Sequence, residues 1–441
     1  MARVQCRFLG PLEVLVDGAP APAELLWRKN VGLLTYLACA PTSRGREREH
    51  LTSLLWSNDE RGRHSLSQAV GSLRRLLGEG VLVVDPVHLA LAPGVVSTDL
   101  HAFAAHEAAG AWAEAGALAQ GDFLAGFTIP EADRYDDWLG AERALWRARM
   151  AQALGRAARA AGDQGDIPAA LTHVARATTL DPDHAPAQAE ALRTRALAGD
   201  APGALAAWDA FREHQAVSYG TTPPAEYVKL VERVRRLPPR PPAEQLPGPL
   251  GSALQQLLHA VDAALRAPRG SLLLVEAPAT AGAGRLLDEL LARLHLDGAS
   301  TARVQASDPA AKPWAAFHAF AEAGVLGFPG ITGAAPNSLA VLAAAFPAWA
   351  ERFPNLAITT PDTPPMVALT EVLCAAADEA PVVLALEDAH LADPSTGMAL
   401  GAVLTYAARL PLVLLATRDP AHTPPALDGL RARADLVVTL A

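Results

Sequence analysis

Two stretches hold residue types that could do chemistry, and each asks for a different partner. The first is Arg61–Leu77, RGRHSLSQAVGSLRRLL. Starting at Leu66, its apolar residues Ala69, Val70, Leu73, Leu76 and Leu77 follow at three, four, seven, ten and eleven positions, which is one face of an α-helix. The other face carries Ser67, Gln68, Gly71, Ser72, Arg74 and Arg75, none of them acidic. Guanidinium groups neutralise phosphates, and amides and hydroxyls pair with base edges, so a greasy back with this front suits a DNA major groove. An ordinary amphipathic helix with a solvated face carries the same pattern. The second stretch follows an apolar, strand-like run, Ser271–Glu276, with APATAGAGRLLDELLARL. Gly282 and Gly284 at a helix start permit a backbone nest for an anion.

Other residues extend the first reading. Arg44, Arg46, Arg48, Arg61 and Arg63 are candidate phosphate contacts, with Arg74 and Arg75 at the helix end. Ser67, Gln68 and Ser72 are the candidates for base edges. Charge supports this only modestly. The 441 residues carry a net charge of -10, yet residues 1–100 hold eleven Lys/Arg against ten Asp/Glu, and residues 44–75 hold seven Arg against four acids. That is a small basic patch on an acidic protein. Residues 76–100 contain no Lys or Arg.

The elements that must position these groups can be read in order. Val4, Cys6 and Phe8 alternate, as do Leu12, Val14 and Val16, and Asp17-Gly18 marks a turn. Helices are expected from about Arg28 to Cys39 and from about Arg46 to Trp56, then the 61–77 helix. Val81–Val84 and Leu89–Leu91 flank Asp85-Pro86-Val87-His88 as a hairpin. Sheet, three helices and hairpin are the order of a winged helix. FLGPLEV, WRKNVGLLTYLA, REHLTSLLW, SLSQAVGSLRRLLGEG and STDLHAF resemble the amino-terminal domain of the actinomycete antibiotic-regulatory activators over residues 3–103. The resemblance implies an OmpR-like winged helix, with DNA as partner. Relatives commonly carry Arg where this chain has Ser67 and Ser72, so the resemblance implies weak or dimerisation-dependent binding here.

Residues 104–236 read as helical and Ala-rich. Gly165-Asp166-Ile167-Pro168-Ala169-Ala170-Leu171 recurs as Gly199-Asp200-Ala201-Pro202-Gly203-Ala204-Leu205, an offset of 34 residues, the tetratricopeptide period. Such units stack because none buries its face alone. In this position they resemble the bacterial transcriptional activator domain, which implies contact with RNA polymerase or another regulatory protein and a homodimer. LPPRPPAEQLPGP, within residues 237–250, reads as a proline-rich, semi-rigid linker.

Residues 251–441 alternate apolar strands with helices, the pattern of a parallel α/β sheet. In larger members of the same family a nucleotide-binding module of the signal-transduction ATPase type, a P-loop NTPase fold, stands here. Its loop reads G-x-x-x-x-G-K-[ST]. Here Ala277 and Gly282 take the glycine places, Ala283 the lysine and Gly284 the Ser/Thr. Alanine and glycine supply neither the cation for the phosphates nor the hydroxyl for Mg²⁺. Arg285, the nearest replacement, lies about 200° around a helix from Ala283. EDAHLAD, with Glu387 and Asp388, is similar to the Walker B region, and Arg418 stands where the family places a phosphate-sensing arginine. The family's adenine-side Val-Gly-Arg is replaced by Pro249-Leu250-Gly251-Ser252, and its helical lid is not in the sequence, which ends at Ala441. The resemblance implies a degenerate module with ATP and Mg²⁺ disfavoured and no cofactor.

The expectation is therefore a multidomain regulator: winged helix 1–103, tetratricopeptide-like helical domain 104–236, linker 237–250 and degenerate P-loop NTPase-like module 251–441. The alternatives are an interaction scaffold that has lost DNA binding and ATPase activity, and an active ATPase switch. An enzyme is not expected: no HExxH, GxSxG or Cys/His ligand spacing occurs, and His88, His101, His106 and His390 read as surface or core residues. Cys6, Cys39 and Cys374 lie in apolar contexts without a CxxC, which fits a reducing cytoplasm. MARVQCRFLG lacks a long apolar run, and Pro329, Pro336 and Pro347 break the uncharged stretch 323–350, so neither a signal segment nor a membrane span is expected.

Overall fold

In-register alternation at the amino terminus lets two short strands bury one face. The computed structural model describes residues 4–39, 45–56, 60–241, 246–266, 268–306, 314–322, 324–357, 363–422, 429 and 431–440. There β1 (Val4–Arg7) pairs antiparallel with β2 (Glu13–Val16), Cys6 opposite Val14. Asp17 and Gly18 both take left-handed backbone angles, φ 51° and 83°, as a tight hairpin requires. The chain returns as β3 (Ala19–Pro20). Three helices follow: α1 (Arg28–Ala38), α2 (Arg48–Leu55) and α3 (Glu60–Leu77). The second helix begins two residues later than its composition implies. Arg46-Glu47 instead forms β4 and pairs with β6 (His88–Leu91), Arg46 opposite Leu89. β5 (Leu82–Val84) completes that sheet as the expected hairpin. β7 (Val96–Thr98), not anticipated from the sequence, runs parallel to β1.

α4 (Asp99–Ala109), α5 (Trp112–Leu118) and the long α6 (Asp133–Asp163) follow, then α7 (Ile167–Leu180) and α8 (Ala185–Leu197). Contacts divide the chain into two units, residues 1–158 with 172–191, and residues 159–171 with 192–441. The first unit has one continuous core, in which Phe8, Leu34, Leu55, Leu66, Leu73 and Leu89 meet Phe123, Tyr135 and Leu154. Its helical part is joined to its first sheet by polar as well as apolar links: the Asp99 carboxylate accepts from the amides of both Phe8 and Leu9 at 2.8 Å.

In the second unit, α9 (Ala201–Tyr219), α10 (Ala225–Arg236) and α11 (Gly248–Arg266) precede the sheet. The 34-residue repeat marks two equivalent interhelical loops. Gly165 and Gly199 take φ 79° and 89°, and Asp166 and Asp200 accept from the amides of Ala169 and Gly203 at 3.0 and 2.9 Å. Glycine ends one helix and aspartate caps the next. The proline-rich segment is no free spacer. Leu246 is buried, with a side chain that would meet a Cβ at Gly165 at 2.9 Å, and the Pro241 carbonyl would meet one at Gly199 at 2.8 Å. Its last residues, from Gly248, are already helix.

The sheet comprises β8 (Ser271–Glu276), β9 (Ser300–Gln305), β10 (Val382–Glu387), β11 (Leu412–Arg418) and β12 (Leu436–Thr439), all parallel, in the order β12-β8-β11-β10-β9. The inner strands β8, β10 and β11 are buried on both faces, as central strands of a covered parallel sheet are. Leu273, Val275, Val383 and Leu415 pack with α11 and α12 (Ala283–Asp297). Leu272, Leu274, Leu384 and Leu414 pack with residues of α13 (Ala315–Glu322), α14 (Pro336–Ala345), α15 (Pro347–Arg352), α16 (Pro365–Glu379) and α17 (Pro394–Tyr406). The chain is thus a mostly helical, multidomain protein with one five-stranded parallel sheet. Among the described residues no helix is long and apolar enough to cross a membrane.

Candidate nucleic-acid interface and glycine-loop crevice

Helix α3 divides cleanly by burial. Gly62, Leu66, Ala69, Val70, Leu73 and Leu77 are buried. Arg61, Arg63, His64, Ser67, Gln68, Gly71 and Arg75 are exposed, and Ser72 and Arg74 are half-buried. Arg61, Gln68 and Arg75 stand at seven-residue steps and therefore share a stripe, with the arginines about 21 Å apart along the axis. The free hydrogen-bonding capacity of this face is partly spent. Ser67 Oγ donates to the Arg63 carbonyl at 3.0 Å, one turn back. Gln68 Nε2 lies 3.0 Å from His64 Nε2. His64 was not singled out from the sequence, although its position four residues before Gln68 places it on the same stripe.

Several of the candidate arginines are already engaged. Arg75 pairs with Glu24 at 2.8 Å, both exposed. Arg46 stacks its guanidinium over the Tyr36 ring, 4.5 Å from the centroid, so the strand that displaces the start of the second helix also turns this cation toward an aromatic face. Arg48 opens α2 and donates its backbone amide to the Val87 carbonyl at 2.8 Å. Arg44 lies outside the described residues. Between β5 and β6 the hairpin tip is anionic: Asp85 accepts from the amides of His88 and Val87 at 2.5 and 2.6 Å. Those bonds hold its carboxyl below the usual carboxylate range.

The second site lies at the carboxyl ends of the parallel strands. β8 connects to the far strand β9, whereas β11 connects across β8 to β12, so the connections of these two neighbouring strands run in opposite directions. Ligands of open α/β sheets enter such crevices. Gly282 caps α12 with φ 80°, a backbone state that glycine adopts without strain. Ala283 and Gly284 begin the helix. A Cβ on Gly284 would lie 2.8 Å from Glu387 Oε1 and 3.4 Å from Arg303 Nη2. The space that a side chain at position 284 would need is thus taken by an ion pair. Arg303 Nη2 donates to Glu387 at 2.5 Å, and Arg303 Nη1 to Asp288.

The other expected nucleotide-site residues are also engaged. Asp388 has φ 52°, a strained left-handed state for a non-glycine residue. Its amide donates to Thr417 Oγ1 at 3.0 Å, and its carboxylate accepts from Gln305 at 2.9 Å. Arg418, at the end of β11, faces Glu276 at the end of β8, and its Nη2 donates to the buried carboxylate at 2.5 Å. Arg431 approaches the same carboxylate at 3.3 Å. Neither Arg303 nor Glu276 was anticipated as a partner, because each lies more than eighty residues from the group it holds.

No protein-family model matches the chain, and no curated protein matches it. Among solved structures, the chain is similar to Mycobacterium tuberculosis EmbR in complex with a low-affinity phosphopeptide, at 22% identity and a TM-score of 0.43, over 61% of this chain and 72% of that one.

Proposed function

We propose that the protein is a DNA-binding transcriptional regulator, with residues 1–103 as a winged helix that reads DNA through α3. The exposed stripe Arg61, His64, Gln68 and Arg75 on a helix whose opposite face is buried carries this reading. It combines cations for phosphates with groups for base edges and has no carboxylate of its own between Arg61 and Leu77. Residues 104–236 act as the bacterial transcriptional activator domain, presenting stacked helices to RNA polymerase or a second copy. Residues 251–441, joined through 237–250, form a nucleotide-binding-like module that does not turn over ATP. Support for the last point is chemical: Ala283 and Gly284 offer no cation or hydroxyl, and Glu387 is neutralised internally by Arg303. A salt-dependent mobility shift on genomic fragments tests the proposal. Retarded, sequence-selective complexes are expected, and their absence at low salt contradicts it.

A second reading, an interaction scaffold without DNA binding, is favoured by one set of observations. Arg75 is paired with Glu24, Arg46 is stacked on Tyr36 and the hairpin tip carries Asp85. The same mobility shift separates the readings.

A further inference from the structure

We propose that the second unit binds a small phosphate-bearing metabolite in the cavity between residues 236–241, α12 and the edge strand β9. The inference goes beyond DNA binding and does not use the crevice at Gly282. The cavity encloses about 670 Å³, within the usual range for small-molecule sites. Its walls carry four guanidinium groups, Arg236, Arg240, Arg285 and Arg303, against two carboxylates, Asp288 and Glu289. The surplus is two positive charges, on a chain whose net charge is -10.

These groups differ in what they can still offer. Arg303 is spent on Asp288 and Glu387 and serves as a fixed wall. Arg240 gives Nη2 to Glu289, but its Nη1 is buried and has no hydrogen-bond partner among the described residues. A buried, unsatisfied guanidinium N–H is costly unless an acceptor arrives. Arg236 is exposed on the last turn of α10 and makes no ion pair among the described residues. His295 Nε2 lies 3.0 Å from the Arg233 carbonyl, which can only accept, so Nε2 carries the proton and Nδ1 is left as an acceptor. Burial favours that neutral imidazole. Prolines of the 237–241 segment supply a stiff apolar rim. Two donors of guanidinium type suit a phosphate, the apolar rim suits a compact organic body, and the imidazole suits a ligand hydroxyl.

The test uses the full-length chain and pyrophosphate as the probe, with citrate at matched ionic strength as the comparison. Calorimetry and thermal melting should show one saturable pyrophosphate site that raises the melting temperature, with citrate weaker. Arg236→Ala should lower pyrophosphate affinity about tenfold, the size of one charge-assisted contact, and leave the unliganded melting temperature unchanged. Arg240→Gln should lower it further, and Arg240→Lys should restore part of it. No pyrophosphate binding at millimolar concentration overturns the proposal. So does binding that Arg236→Ala and Arg240→Gln leave unchanged, since the anion would then sit elsewhere, for example at Gly282. Citrate binding as tightly as pyrophosphate would overturn the phosphate assignment.

Discussion

Leu73 is fully buried on the inner face of α3, in contact with the core of the first unit. Truncation to alanine removes its transfer free energy and leaves a cavity, so Leu73→Ala should cost roughly 2–5 kcal/mol. Chemical denaturation of the full chain measures this, and a neutral effect would show that the helix is facing the wrong way. Burial also governs the thiols. The Cys6 thiol is pushed up to about 12 from an ordinary 9.0, first by burial and then by the Asp99 charge. Cys39 is raised too, chiefly by burial. A thiol whose folded value is raised favours the folded state below the unfolded value, and this advantage is lost as the pH climbs. Stability should therefore fall from pH 9.0 toward about 12, and Cys6→Ser should lessen that fall in pH-dependent melts. At Gly284 the governing quantity is space. Gly284→Thr, which adds a side chain with a hydroxyl, forces a Cβ to 2.8 Å from Glu387 and should destabilise the second unit. Calorimetry with Mg-ATP should detect no low-micromolar binding in the wild type or in Ala283→Lys/Gly284→Thr; such binding in either would mean that the ion pair yields to the ligand.

The helix α3 presents its cations in a definite arrangement, and that arrangement sets what substitutions do. Arg61→Ala with Arg75→Ala should weaken binding to all DNA sequences and flatten the salt slope by about two units at most, whereas Gln68→Ala should change sequence preference. Glu24 holds Arg75 in an exposed pair worth at most about 1 kcal/mol. Glu24→Ala frees the guanidinium and removes an anion, so it should tighten DNA binding up to about fivefold in anisotropy titrations; weaker binding would place Arg75 outside the interface. At this scale the sequence was informative wherever the signal is local. The 3.6-residue period located α3, and the apolar runs flanking Asp85–His88 located the hairpin. β7 was not legible, because three residues carry little periodicity and their partner β1 lies some ninety positions away. For the same reason composition could count Arg46 as a cation but could not foresee its place in β4 over Tyr36.

At the scale of the whole molecule, the candidate nucleotide crevice shows most clearly what a sequence leaves out. That Ala283 and Gly284 carry neither a cation nor a hydroxyl can be read directly. The ion pairs around them cannot: Arg303 reaches Glu387 across 84 residues and Arg418 reaches Glu276 across 142. The proline-rich segment is a second case, since its composition suits a spacer while Leu246 and Pro241 lie against the two repeat glycines. We propose that the chain reads DNA through α3. Genome-wide footprinting of the tagged full-length protein, beside its Arg61→Ala/Gln68→Ala/Arg75→Ala variant, tests it most directly. Discrete occupied sites that vanish in the variant are the predicted result. Sites absent in the wild type, or unchanged in the variant, would contradict it.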